Sequence, residues 1–195
     1  MPFGAHETME VHEILNETIS MINHFSLYAE HAQNPQVSGL VERHLQAAIQ
    51  HYEQLAAYTH NYSAAGSWQG MQAQSLQMPA VSYQEIQYGL RRPSPAAPQM
   101  QTRFNDQQIL LAVLGCHKNS AKNHMNASLE CADPNVRQML MNGAVACANF
   151  AYETFLIMNQ QGQYQVPTMN DHTAKTFLHA YQPMQQSGSA GSYRQ

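Results

Sequence analysis

The chain has 195 residues, enough for one domain with a real core. Only 9 Lys and Arg stand against 13 Asp and Glu, and this 11% is under half of the ~25% usual in soluble domains. A net charge of −4 and a pI near 6.2 give no electrostatic hold on phosphates, which argues against nucleic acid as a partner. No apolar run approaches the ~20 residues of a membrane span. The opening MPFGAHETME lacks the basic and apolar regions of a secretion signal.

Amides stand where charges would be: 24 Gln and 13 Asn, against three lysines, Lys118, Lys122 and Lys175. The three cysteines, Cys116, Cys131 and Cys147, are odd in number, lie in helical sequence and form no CxxC. They suggest neither a disulfide framework nor a zinc ribbon, and they fit synthesis in a reducing cytosol.

Residues 1–62 read as a first helix hairpin. Val11, Leu15, Thr18, Ile22, Phe25 and Ala29 recur at steps of four and three, so one apolar stripe faces a core. A flanking stripe runs through Glu10, Ile14, Glu17, Met21, His24, Tyr28 and His31. Asn34-Pro35 breaks the pattern, since proline suits a first helical turn and pushes its predecessor out of α geometry. The second stripe is Val37, Val41, His44, Ala48, His51, Leu55, Tyr58 and Tyr62. Each arm is then ~40 Å long.

Residues 63–104 hold four of the nine prolines and read as a long crossover, with a short helix expected at Ser82 to Arg91. Residues 105–161 read as a second hairpin. Its stripes are Leu110, Val113, His117, Ser120, His124, Ala127 and Cys131, then Val136, Leu140, Gly143, Cys147, Phe150, Thr154 and Ile157. Asn105 or Asp106 is the expected N-cap of the third helix and Asp133 that of the fourth. Residues 162–195 read as a C-terminal tail. Gly162 stops the fourth helix, and the Ser/Gly-rich last ten residues are expected to be disordered.

The hairpins repeat with an offset of 99, which carries Pro35 to Pro134 and Val37 to Val136. Identities match poorly, so the repetition is structural. Four long amphipathic helices predict one all-α domain, a four-helix bundle. The single long crossover predicts ferritin-like connectivity. A di-iron site on such a bundle needs Glu-x-x-His on two helices, and no Glu here is followed by His three residues on. A standard di-iron centre is therefore not expected.

His44 and His51 share one inward stripe, and His117 and His124 share another, each pair ~10 Å apart along its helix. A crossover that spans the bundle makes the second and third helices parallel. His44 then meets the depth of His117, and His51 that of His124. One reading is a buried polar layer in which Tyr28, Tyr52, Ser120, Asn119 or Asn123 supply hydrogen bonds. The other is a transition-metal or redox site formed by His44, His51, His117 and His124. GxSxG, P-loop and GxGxxG motifs are absent, and the cysteines read as small apolar residues. Met71, Met78, Met100, Met169 and Met184 fall outside the core helices and suit either adaptable contact surfaces or loops packed over their own bundle.

One stretch resembles a known family. Asn105-Asp106, Ile109-Leu110, Lys118, Lys122, the turn Asp133-Pro134-Asn135-Val136-Arg137, Leu140 and the close Asn159 to Tyr164 look like the spore coat protein F family of Bacillus-type spore formers. Met169 to Phe177 looks like that family's tail. The resemblance implies a ferritin-like helical coat component without known catalysis or cofactor. It would be made in the mother cell, laid on the forespore, and partnered by other coat proteins. Scarce charge also favours homo-oligomers near pH 6. Exposed Gln and Tyr are candidates for amide–lysine or dityrosine cross-links.

Overall fold

A computed structural model describes residues 3–61, 85–91 and 103–182. The expectations for the path of most of the crossover, for Met71, Met78, Met100 and Met184, and for a disordered end lie outside these residues. The described chain is all-helical: α1 (Ala5–His31), α2 (Pro35–His60), α3 (Asp106–Leu129), α4 (Pro134–Gln160) and α5 (Asp171–Leu178). The first four form a helical bundle.

Local chemistry sets most of the helix ends. Asn34 Oδ1 accepts from the Gln36 amide at 2.8 Å, with Pro35 at the first helical position. Asn105 is the cap of α3, in a reciprocal box: its Oδ1 accepts from the Gln108 amide, and Gln108 Oε1 accepts from the Asn105 amide. Asp133 Oδ1 accepts from the amides of Asn135 and Val136 at 2.8 and 3.2 Å. Gly162 takes φ +73, left-handed geometry that ends α4 at little steric cost.

Two carboxylates tie the hairpins together. Asp106 accepts from the amides of Gln33 and Asn34 at 2.9 and 3.1 Å and so holds the α1–α2 turn. Glu7, buried at the start of α1, accepts from the Asp133 amide at 2.8 Å and so holds the α3–α4 turn. Glu7 and Asp106 stand 99 residues apart, as do Asn34 and Asp133. The offset seen in sequence is thus a pair of equivalent clasps at the two ends of the bundle.

Three expectations are corrected. The seam that α1 buries is Val11, Ile14, Thr18, Met21 and Phe25. It runs between the two expected stripes, because Leu15, Ile22 and Ala29 rotate to the edge of the contact with α2 and α3. Residues 86–91 are not helical, with Glu85 in a 3-10 turn and Tyr88 paired in an isolated parallel bridge with Val166, while 82–84 of the expected helix lie outside the described residues. The tail contains α5, which buries none of its own residues.

Asp133 serves three groups, since Oδ2 also accepts from the buried Tyr58 hydroxyl at 2.8 Å. Asp133→Ala is expected to remove the cap and that acceptor, at a cost of about 2 kcal/mol. Thermal denaturation should show a Tm lower by roughly 4–8 °C, whereas Asp133→Asn, which keeps an acceptor oxygen, should lose less.

Candidate functional site

The four inward histidines meet as two pairs in successive layers of the bundle. Helices α2 and α3 run parallel, so His117 Nε2 lies 3.1 Å from His44 Nδ1, and His124 Nε2 lies 3.0 Å from His51 Nε2. Spacing by seven on both helices keeps the pairing in register across two turns.

In the first layer, His44 Nε2–H donates to Glu153 Oε2 at 3.0 Å. Glu153 also accepts from Arg43. The carboxylate settles the tautomers. With the proton on His44 Nε2, its Nδ1 carries a lone pair and accepts from His117 Nε2–H. His117 Nδ1 is then a lone pair, and it is buried with no hydrogen-bond partner among the described residues. Phe150 stacks near both imidazoles, with centroids 4.3 and 5.2 Å away, and Phe25 meets His117 edge-on at 5.2 Å. A relay of Arg43, Glu153, His44 and His117 thus runs from the partly exposed carboxylate into an apolar core.

In the second layer, His124 Nδ1–H donates to the Ser120 carbonyl at 2.9 Å. Its Nε2 is therefore the acceptor, and His51 donates. Helix α4 passes close to this pair at Gly143. A methyl group there would lie 2.5 Å from His124 Cδ2 and 2.8 Å from His51 Cε1.

Burial disfavours protonation throughout. It lowers His44, although Glu153 pulls the other way, and it lowers His117 further, with His44 adding to the effect. Burial lowers His124 against the Ser120 carbonyl and Glu17, and it pushes His51 down to about 3 with help from His124. Glu153 is held below the carboxylate range, chiefly by its hydrogen bond to His44.

Two of the expected side-chain partners go elsewhere. The Ser120 hydroxyl and the Asn123 amide donate to Glu17 at 2.6 and 3.1 Å. His24 is exposed beside Tyr28. Among the described residues, no group of three or more His, Cys, Asp or Glu is arranged to hold a metal ion. The three cysteines are free, and burial holds their thiols up, to about 11 for Cys116 and Cys131 and about 12 for Cys147. They stay protonated at neutral pH and are poor nucleophiles. Glu153 and Gly143 were not foreseen as parts of the site. Glu153 is the sole acid in α4, and Gly143 a costly residue for a helix interior; both were signals.

Residues 105–167, which span α3, α4 and the turn after Gly162, match the model of the Coat F domain. This hairpin is thus similar to a Coat F domain. The layers are built across its boundary, since the domain contributes His117, His124, Gly143 and Glu153, and α2 contributes His44 and His51. The spore coat protein F-like protein YhcQ of Bacillus subtilis (strain 168) is 25% identical over 183 residues, 93% of this chain and 82% of YhcQ. That alignment carries the likeness beyond the Coat F domain. A protein described as a spore coat protein of Bacillus halodurans C-125 shares the fold, with a TM-score of 0.63 at 15% identity. The match covers 88% of this chain and 97% of that one. Among the described residues, no helix is long and apolar enough to cross a membrane.

Proposed function

We propose that this chain is a structural, non-catalytic component of the bacterial spore coat, made in the mother-cell cytoplasm and assembled with other coat proteins and with copies of itself. The Coat F match over residues 105–167 carries this reading. The surface supports it. Few charges oppose association, and Leu111, Leu129, Phe177 and Leu178 are exposed at 60%, 69%, 67% and 67%. Tyr181 and Tyr88 are exposed and are candidates for dityrosine links. The bundle has ferritin-like connectivity in this reading, with helices one and two as one hairpin and three and four as the other. A fluorescent-protein fusion expressed from the native promoter in sporulating cells tests the assignment. Signal should appear first in the mother cell and then as a shell around the forespore. Signal confined to vegetative cells or to the forespore interior would overturn it.

A second reading has one observation in its favour. The partnerless Nδ1 of His117 is backed by His44 and Glu153, and His124 Nε2 by the Ser120 carbonyl. Metal-bound histidines carry such support behind them. In this reading the core histidines hold transition metal layer by layer, His117 through Nδ1 with His44 behind it and His51 with His124 through their facing Nε2 atoms, with water completing each ligand shell. Inductively coupled plasma mass spectrometry of purified protein decides it. Stoichiometric metal that is lost in His117→Ala and His124→Ala supports it, and metal-free protein of unchanged stability excludes it.

A further inference from the structure

Residues 85–91 lie as a strap across the C-terminal end of α4, and what holds them is almost wholly polar. The side-chain amide of Asn159, at 2% exposure, acts as a substitute peptide group. Its Oδ1 accepts from the Gln87 amide at 2.8 Å, and its Nδ2 donates to the Gln87 carbonyl at 3.1 Å. The Gly89 amide donates to the Val166 carbonyl at 2.9 Å, and the Arg91 amide to Gln165 Oε1 at 2.6 Å. Nδ2 of Asn159 is anchored from behind on the Tyr164 carbonyl at 2.9 Å, so the acceptor is preset before the strap arrives. No side chain of the strap is buried, and Tyr88 and Leu90 are 57% and 71% exposed.

A segment held by main-chain hydrogen bonds, with no side chain in the core, belongs to the low-stability end of a structure and opens locally. The opened strap leaves a ready strand acceptor made by Asn159, Gln165 and Val166. The sequence that fits this acceptor is present on every copy of the chain.

We propose that copies of this chain join by exchanging strap 85–91, each docking it on the Asn159–Val166 acceptor of a second copy. The connections permit it. Asn61 precedes Glu85 by 24 residues and Arg91 precedes Arg103 by 12, which reach at most ~80 and ~40 Å. A ~40 Å bundle lying alongside is within both spans. The contacts made in the closed and exchanged forms are identical, so tether entropy and concentration decide between them. A tether supplies an effective concentration of order millimolar, less as it lengthens. Exchange therefore prevails when the chains themselves are packed to millimolar levels or above. Because each copy both gives and accepts a strap, the contact closes in dimers or runs on in chains. The inference does not depend on the coat assignment and is tested on the isolated chain.

The test places a disulfide across the bridge. Tyr88→Cys and Val166→Cys are introduced together into a chain whose Cys116, Cys131 and Cys147 are alanine, and the protein is oxidised at ~10 μM or after incubation at ~1 mM, either side of the tether's effective concentration. Denaturing, non-reducing gels should show monomer from the dilute sample, and dimers with higher species from the concentrated one. Monomer alone at both concentrations overturns the proposal. So do multimers that form equally well, by native mass spectrometry, from chain locked by oxidation at ~10 μM before it is concentrated. If the cysteine-free chain does not fold, the unmodified protein is mixed with an isotope-labelled copy at ~1 mM. Mixed-mass dimers that Asn159→Ala abolishes support exchange. Their absence, or their persistence in Asn159→Ala, refutes it.

Discussion

Gly143→Ala is expected to destabilise the protein, although alanine is the better helix former. The substitution gains up to ~1 kcal/mol in helix propensity. Against that, the new methyl would sit 2.5 Å from His124 Cδ2 and 2.8 Å from His51 Cε1. Neither atom is the free end of a flexible side chain. His124 is tied to Ser120 at one nitrogen and to His51 at the other. To admit the methyl, the two rings must part and give up their hydrogen bond, or α4 must shift away from α3. Overpacking of this kind costs roughly 1–3 kcal/mol, and a lost buried hydrogen bond about 1 more. The net loss should be about 2 kcal/mol, read as a Tm lower by roughly 4–8 °C. A double variant with His51→Ala should recover part of the loss, because the second change opens the space that the first one needs. A Gly143→Ala chain more stable than the parent would show that α4 yields freely at this point.

Stability is expected to fall as the solution is acidified from neutral, before the carboxylates titrate. An unfolded chain protonates its histidines near pH 6.5. In the folded protein His44, His51, His117 and His124 are all lowered, mainly by burial. Below about pH 6.5 the unfolded state therefore takes up protons that the native state refuses. Their contribution is complete above that pH and is lost as pH falls toward the folded values. The groups facing them do not reverse this sign: Glu153 and Glu17 draw protons in, Arg43 opposes, and desolvation outweighs both. Each histidine contributes a slope of up to ~1.4 kcal/mol per pH unit. His51, pushed down to about 3, contributes its full share across this range. By pH 5 that one group would cost roughly 2 kcal/mol, and His44, His117 and His124 add to the loss in the same direction. The lowered Glu153 adds a further loss, present only once pH falls through the carboxylate range. Urea titrations from pH 7.5 to 4.5 should show the unfolding midpoint falling steeply below pH 6.5. His124→Gln should flatten the slope by about one histidine's share. A midpoint constant from pH 7 to 5 would mean that the layers accept protons in the folded state.

How much of this was readable beforehand depended on distance along the chain. Helix ends were legible because a cap acts within three residues: Asn34, Asn105 and Asp133 each bond amides two or three positions on. The depth of the histidine pairs was legible too, because equal spacing on two parallel helices carries one match to the next. The buried seam of α1 was not. Two overlapping stripes satisfied helical periodicity equally, and only the neighbouring helices select the rotation that buries Ile14 and Met21. Helix α5 was missed because eight residues between prolines give little periodicity, and Ala174, Phe177 and Leu178 show their stripe only once the segment is known to be helical. The strap was missed because its bonds are made by backbone groups, which any sequence supplies.

The amino-acid order alone was enough for an all-α bundle of two hairpins, for the four histidines facing inward in two layers, and for the likeness to the Coat F domain. Each is a property of periodicity, capping or local motif, and each acts within a few turns of one helix. The partners of those histidines came only with the assembled fold. Glu153 and Gly143 on α4 reach the layers from 109 and 92 residues beyond His44 and His51, and Asn159 holds a strap 72 residues before it. Such contacts depend on how α4 is rotated and how deep it sits against α2, and that is settled by packing the whole core at once. The low charge of the composition is sharpened by this: five of the thirteen acids, Glu7, Glu17, Asp106, Asp133 and Glu153, are engaged in clasps, caps and the relay, and most of the others lie on the surface beside amides and apolar side chains.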